Sequence, residues 1–276
     1  LSTLILGTGF VGSVLVDWVR GRGIEVTQSS RSPGHGDVTV CDGAALDALV
    51  GSFEFEQIVV LGQLTGPDID WVLERIDGSR WLVMSSQQVM SSVPAPGTAV
   101  ALAREELALA KGACVLRPTM IFGRCRDLNI TRLIAMMERW RVPFVPGSGD
   151  QMVQPLHVDD LCALVACHHL QTRGGLFAVG GAEALPLREL VGTLAELLGL
   201  RVPVVEVPRR AIDLSARFAP VLRLRPDQFK RLYEPRLADN GPVREAFNWN
   251  PEPLGLRLEQ AVFDVNQRSG SGISLP

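Results

Sequence analysis

Three glycines near the start of the chain, Gly7, Gly9 and Gly12, stand at a spacing suited to a diphosphate. They follow a short apolar run, Leu4, Ile5 and Leu6, which reads as a buried strand. They lead into a stretch with Val11, Val14, Leu15, Trp18 and Val19 on one helical face. In that strand–turn–helix setting each glycine has a task. Gly7 permits the tight turn, Gly9 lets a pyrophosphate approach the backbone, and Gly12 lets helix and strand pack closely. The helix N-terminus offers unpaired N–H groups and a partial positive charge. Thr8, Phe10 and Val11 fill the turn and are assigned to the same dinucleotide site.

The next chemical signal lies at the end of a second strand, read over residues 23–27. About 20 residues beyond the glycines, an NAD site usually places a carboxylate on the ribose 2′-hydroxyl. Here the chain has Gln28, Ser29, Ser30 and Arg31, with no carboxylate among them. Hydroxyls with a guanidinium suit a 2′-phosphate, because Arg pairs with phosphate oxygens in a planar, charge-assisted way. Ser30 and Arg31 therefore predict NADP(H). Asp42, after a third strand at 38–41, has two readings of equal merit: a contact to the adenine amino group, or a cap for a helix over 44–50. Leu61 and Gly62, ending a fourth strand at 57–62, and Pro118, ending a sixth at 113–118, complete the expected cofactor residues.

The elements that must position these groups alternate. A fifth strand covers 80–84, with helices expected over 68–76 and 98–111. The alternation predicts an α/β doubly wound parallel sheet of Rossmann type over 1–145. The remainder, 146–276, reads as a smaller substrate-binding region whose strands and helices partly return to that sheet. It has a helix over 130–140 leading into it, strands at 152–156, 176–179 and 202–207, and a helical stripe from Leu187 to Leu198. Short helices broken by Pro208, Pro220, Pro226 and Pro235 suit a lid over the strand ends.

Composition narrows the function. The chain has 276 residues, 46% hydrophobic and 21% charged, with a net charge of −3, which gives no nucleic-acid footprint. No apolar run reaches the ~20 residues of a membrane span. The chain enters its first strand at once, so no secretory leader is expected. Five scattered cysteines, an odd number, fit a reducing compartment, and a cytoplasmic location is expected. Cys162, Cys167, His168 and His169 are close in sequence but match no metal-ligand spacing, so no metal is expected.

Four further stretches complete a pattern: Ser85-Ser86-Gln87-Gln88-Val89, Leu116-Arg117-Pro118-Thr119-Met120-Ile121-Phe122-Gly123, His157-Val158-Asp159-Asp160, and Arg244-Glu245-Ala246-Phe247-Asn248-Trp249-Asn250-Pro251. With Gly7–Gly12, and in this order, they resemble the extended short-chain dehydrogenase/reductases of the NAD(P)-dependent epimerase/dehydratase branch. The resemblance covers nearly the whole chain. It implies a serine at the end of the fifth strand that polarises the substrate oxygen, which falls on Ser86 with Ser85 beside it. It also implies a tyrosine, tuned by a lysine four residues later, on the following helix. Those places hold Val100 and Arg104. The chain has a single tyrosine, Tyr233, and its lysines are Lys111 and Lys230.

Valine transfers no proton, and arginine stays protonated at any working pH. The usual acid/base step, worth roughly 10²–10⁴-fold, is unavailable in its standard form. Ser86, Ser85, Arg104, Asn129 and His157 are the catalytic candidates. Asp127, Gln154 and Cys125 are neighbours of interest, and Arg117 matches a supporting position. His157 reads either as a proton donor or as a residue ordering its loop. Three functions follow: a reductase or related enzyme on a small carbonyl or hydroxyl substrate, a non-redox isomerase or cyclase of secondary metabolism, or a non-catalytic NADP(H) sensor or assembly subunit. The helix over 98–111 is a candidate surface for a homodimer.

Overall fold

The computed structural model describes residues 2–32, 34–66, 69–127, 129–171, 173–208, 210 and 233–270. In chain order come β1 (Ser2–Leu6), α1 (Phe10–Arg20), β2 (Glu25–Ser30), β3 (Val38–Thr39), α2 (Gly43–Ser52), β4 (Gln57–Val60), α3 (Asp70–Leu73) and β5 (Trp81–Met84). A 3-10 turn (Gln87–Met90) precedes α4 (Thr98–Ala110), β6 (Cys114–Pro118), β7 (Ile121–Phe122), α5 (Ile130–Trp140), β8 (Phe144–Pro146), β9 (Met152–Val153) and β10 (Leu156–His157). Then follow α6 (Val158–Gln171), β11 (Gly175–Val179), β12 (Leu185–Pro186), α7 (Leu187–Leu197) and β13 (Val205–Val207). Two more helices, Gly241–Phe247 and Leu254–Gly270, end the described chain.

Seven strands form one parallel sheet in the order β11–β6–β5–β4–β1–β2–β3. This is the doubly wound arrangement the alternation predicts. The pleat divides each buried strand between two cores. Ile5, Val59, Leu82 and Leu116 join the helical layer of α1 and α6. Leu4, Ile58, Val60, Val83 and Val115 join α2, α3 and α4. Burial on both faces explains why these strands read as continuous apolar runs. Strand order reverses between β1 and β4, and such a reversal opens a crevice at the carboxyl ends of the strands.

The second half is interleaved with the first. β11 returns to the edge of the main sheet beside β6, and the buried Gln57 amide donates to the Val165 carbonyl of α6 at 2.9 Å. A third core gathers Phe122, Ile130, Ile134, Leu190, Leu194 and Leu258 from β7, α5, α7 and the C-terminal helix.

Several sequence expectations change in detail. The second strand runs on to Ser30, because Gln28 and Ser29 pair with β1. The strand expected at 152–156 is two, β9 and β10. Pro155 has no N–H to donate, and the Gln154 side chain turns inward, its Nε2 donating to Gly181 O at 2.9 Å and its Oε1 accepting from Ala238 N at 2.9 Å. Pro203 likewise restricts the strand expected at 202–207 to Val205–Val207. The helix expected over 68–76 is the single turn Asp70–Leu73; Asp68 lies outside the described residues, as do Pro220, Pro226 and Lys230.

Buried Asn240 completes the support of the strand ends. Its Oδ1 accepts from Gly180 N at 2.8 Å, and its Nδ2 donates to Gly180 O and Gly181 O at 3.0 Å. Asn240→Ala would strand these backbone groups away from water, at a cost of about 1–3 kcal/mol. A urea titration should show the midpoint lowered with the slope unchanged.

Candidate active site

The glycine turn is built as tightly as its sequence suggests. A Cβ on Gly12 would stand 2.3 Å from the Gly7 carbonyl oxygen, so only glycine lets α1 approach β1 this closely. Gly7 has φ +142°, a conformation glycine alone adopts freely. Its N–H donates to Ser29 O at 3.2 Å, and its carbonyl accepts from Gln28 Nε2 at 3.0 Å. Gly9 differs. It is exposed, and nothing lies within 4 Å of where its Cβ would be. It precedes α1, whose first turn has neither a side-chain cap nor an acidic residue. Backbone N–H groups therefore face open space, as an anion requires.

Thr8 lies in the turn, and Phe10 and Val11 lean on the core beside Leu61. Leu61 stands directly against the turn, its Cβ 3.1 Å from a Cβ placed on Gly7, and Gly62 follows at the end of β4. Pro118 is buried at the end of β6. At the end of β2, Ser29 and Ser30 are buried, and Ser30 Oγ accepts from Ser32 N at 3.1 Å. Arg31, next in line, is exposed. Asp42 caps α2 through Ala45 N at 2.9 Å.

At the end of β5 the two serines have opposite polarity. Ser85 donates its hydroxyl proton to the buried carboxylate of Glu105 on α4. That carboxylate also accepts from Arg117 Nε at 3.1 and 3.0 Å, forming a buried ion pair. Ser86 caps the 3-10 turn, its Oγ accepting from Gln88 N at 3.2 Å. Its hydroxyl proton remains available to an acceptor. Arg104 holds the loop after β4: its guanidinium donates to Asp70 at 2.6 Å, to Leu64 O at 2.6 Å and to Gly66 O at 2.7 Å. That bidentate hold keeps the Asp70 carboxyl below the usual carboxylate range. Val100 is 47% exposed on the outer side of α4.

The loop after β7 is knit by a different carboxylate. Buried Asp127 accepts from Gly123 N at 3.1 Å, Asn129 N at 2.9 Å and Thr131 N at 3.1 Å, and also from the Thr131 hydroxyl. Asn129 is exposed at the start of α5, donating through Nδ2 to Ile121 O at 3.3 Å. His157 is enclosed by Phe122, edge to face at 5.1 Å, and by Gly123, where an added Cβ would meet Nε2 at 2.3 Å. Its Nδ1 accepts from Asp159 N at 3.2 Å, so the ring orders the start of α6. Burial pushes its pKa down to about 4, partly opposed by Asp159, leaving it neutral at pH 7. Burial pushes the Cys125 thiol up to about 11.

Two residues outside the sequence reading bear on the site. Glu105 sits one place beyond Arg104 in a strong helix former, where nothing marks a glutamate as buried. Glu234 accepts from the Ser91 and Ser92 hydroxyls and from Val93 N at 3.2 Å, tying the segment beside Tyr233 to the loop after β5. A contact spanning more than 140 residues leaves no local signal.

Two outcomes follow. Glu105→Gln would leave the partly buried Arg117 charge uncompensated, costing up to about 3 kcal/mol, visible as a lowered urea midpoint at pH 7. His157 is neutral in the fold and protonates near 6.5 when unfolded. Its contribution is therefore complete above pH 6.5 and is lost as the pH falls toward 4, by on the order of 3 kcal/mol. Unfolding midpoints between pH 7.5 and 4.5 should fall, and more shallowly in His157→Asn.

No protein-family model matches the sequence, and no curated protein matches it either. Solved structures do match. The dTDP-glucose 4,6-dehydratase of Bacillus anthracis, in complex with NAD, superposes with a TM-score of 0.75 at 16% identity, covering 98% of each chain. UDP-glucose 4-epimerase of Thermotoga maritima, with UDP-glucose, gives 0.72 at 15% identity, over 98% of this chain and 100% of that one. A short-chain dehydrogenase/reductase superfamily protein of Agrobacterium tumefaciens, with bound NAD, gives 0.70 at 16% identity over 99% of each. The chain therefore shares the fold of these solved structures over nearly its whole length, with its own glycine turn after β1 and Ser85–Ser86 after β5.

Proposed function

We propose that this chain binds NADP(H) over the Gly7–Gly12 turn and acts as a reductase, or a related epimerase/dehydratase-like enzyme, on a small carbonyl or hydroxyl substrate. The observation that carries the reading is the open space at Gly9 beside an uncapped helix N-terminus, after β1, which lies next to β4 and one strand removed from β5, the strands that lead into Leu61 and into Ser85–Ser86. Structural neighbours that bind NAD support a nicotinamide dinucleotide in general. The preference for the 2′-phosphorylated form rests on this chain's own Ser30 and Arg31.

When bound, the nicotinamide supplies hydride exchange. The residues of the chain do the rest. Gly9 and the first N–H groups of α1 hold the pyrophosphate. Ser86 donates a hydrogen bond from its hydroxyl to the substrate oxygen, polarising it. Ser85, whose proton is directed to Glu105, offers lone pairs and accepts from a substrate hydroxyl. Arg104 fixes the loop after β4 through Asp70, and His157 stays neutral and structural.

A sensor reading has its own support. Val100 is exposed, Arg104 is engaged in ion pairing, and no tyrosine–lysine relay stands on α4. The exposed Val100 and Leu107 on α4 support pairing of that helix with a second copy.

Titration of NADPH fluorescence separates these readings. Gly9→Ala adds a methyl group where only solvent lies, at φ −69°, so the fold should be retained. NADPH affinity should fall by at least tenfold. Arg31→Ala should weaken NADPH roughly tenfold and NADH little. Unchanged affinities in both variants would end the nucleotide reading. Tight NADPH binding without turnover on a broad carbonyl panel would favour the sensor.

A further inference from the structure

Away from the glycine turn, α1 forms one wall of a second cleft of about 370 Å³. The loop after β7 and the end of the C-terminal helix form the others. Four guanidiniums line it, from Arg22, Arg124, Arg126 and Arg268, against the single carboxylate of Asp17. The chain as a whole carries −3, so this is a local reversal of sign.

The pairing of these arginines matters. Arg124 is matched by Asp159, with Nη2 at 3.0 Å from both oxygens. Arg22 and Arg126 have no carboxylate partner among the described residues. Arg22 lies over the Trp18 ring, 3.3 Å from its centroid, and donates to Trp18 O at 3.2 Å. Arg126 reaches α1 through the Ser13 hydroxyl at 2.6 Å. Arg268 donates to Cys125 O at 3.3 Å. Two unmatched guanidiniums are thus held in place by an aromatic ring and a hydroxyl.

The backbone is also bent toward this arrangement. Gly123, Arg124 and Cys125 have φ of +116°, +55° and +52°, three consecutive residues at positive φ. For Arg and Cys that conformation costs on the order of 1 kcal/mol each. It buries Cys125 while Arg124 and Arg126, on either side, remain exposed. Asp17, Asp159, Asp264 beside Arg124 and Arg268, and the negative C-terminal end of α1 oppose an anion here. Four guanidiniums stand against these three carboxylates.

We propose that this cleft is a second anion site, separate from the dinucleotide site, and that it takes a small molecule carrying a phosphate or diphosphate. The volume lies in the range of small-ligand pockets. Arginine forks match the planar, bidentate geometry of phosphate oxygens, and Arg22 and Arg126 supply charge that no carboxylate among the described residues neutralises.

Inorganic pyrophosphate is the probe, titrated calorimetrically into the wild type, Gly9→Ala and the double variant Arg22→Gln/Arg126→Gln. Both arginines are exposed, so the double variant should fold, which its thermal midpoint verifies. The wild type and Gly9→Ala should both bind pyrophosphate, with affinity falling as salt rises. Placed in the Gly9→Ala background, the two arginine substitutions should lower that binding by tenfold or more, while the double variant by itself keeps its NADPH titration unchanged. Loss of all pyrophosphate binding in Gly9→Ala, or binding in the Gly9→Ala background that the two arginine substitutions leave unaltered, would overturn the second site. Those outcomes are independent of NADPH turnover and of the nucleotide preference.

Discussion

The close approach of α1 to β1 is the constraint on which much of this structure depends. A single methyl group on Gly12 would enter the Gly7 carbonyl oxygen at 2.3 Å, so the helix can lie against its strand only because that side chain is absent. From that contact follow the direction of the α1 N-terminus, the clear space at Gly9, and the placement of Leu61 against the turn. It also sets the other end of α1, where Trp18 and Arg22 form a wall of the arginine-lined cleft. One steric fact thus shapes two electrostatic environments, a positive helix terminus and a cationic groove.

The loop after β5 shows how two neighbouring hydroxyls come to hold their protons differently. Ser85 and Ser86 are adjacent in sequence, yet one hydroxyl proton goes to a buried carboxylate and the other stays available. Glu105 controls this difference, and Arg117 holds Glu105. Arg104, one residue earlier on the same helix, faces Asp70 and two loop carbonyls instead. Neighbouring positions on α4 therefore serve different layers: one supports a serine, the other a loop. Side chains that could titrate are removed from that role by burial, as with His157 and Cys125, or by ion pairing, as with Asp70.

Much of the fold was legible in the sequence because its signals are local. Apolar runs such as Ile58 to Val60 require burial on two faces, and the alternation with helical stripes requires a parallel sheet. The glycine spacing likewise stated its own geometry. Boundaries were less legible where a side chain or a proline intervened, as at Gln154 and Pro155, whose interruption depends on Gly181 and Ala238 far along the chain. The sequence named Ser85, Ser86, Arg104 and His157 as chemically capable groups, since residue type fixes which protons they can hold.

Only the tertiary structure decided what each of those groups touches. A hydroxyl, a guanidinium or an imidazole carries no mark of its partner when that partner is distant in the chain. Ser85 meets Glu105, Arg104 meets Asp70, and Glu234 reaches Ser91 and Ser92, all through folding. The gathering of Arg22, Arg124, Arg126 and Arg268 at one cleft has the same origin. Steric rules and hydrophobic periodicity act over a few residues and so are written in order along the chain. Electrostatic pairing acts through space, and only the packed molecule brings its members together.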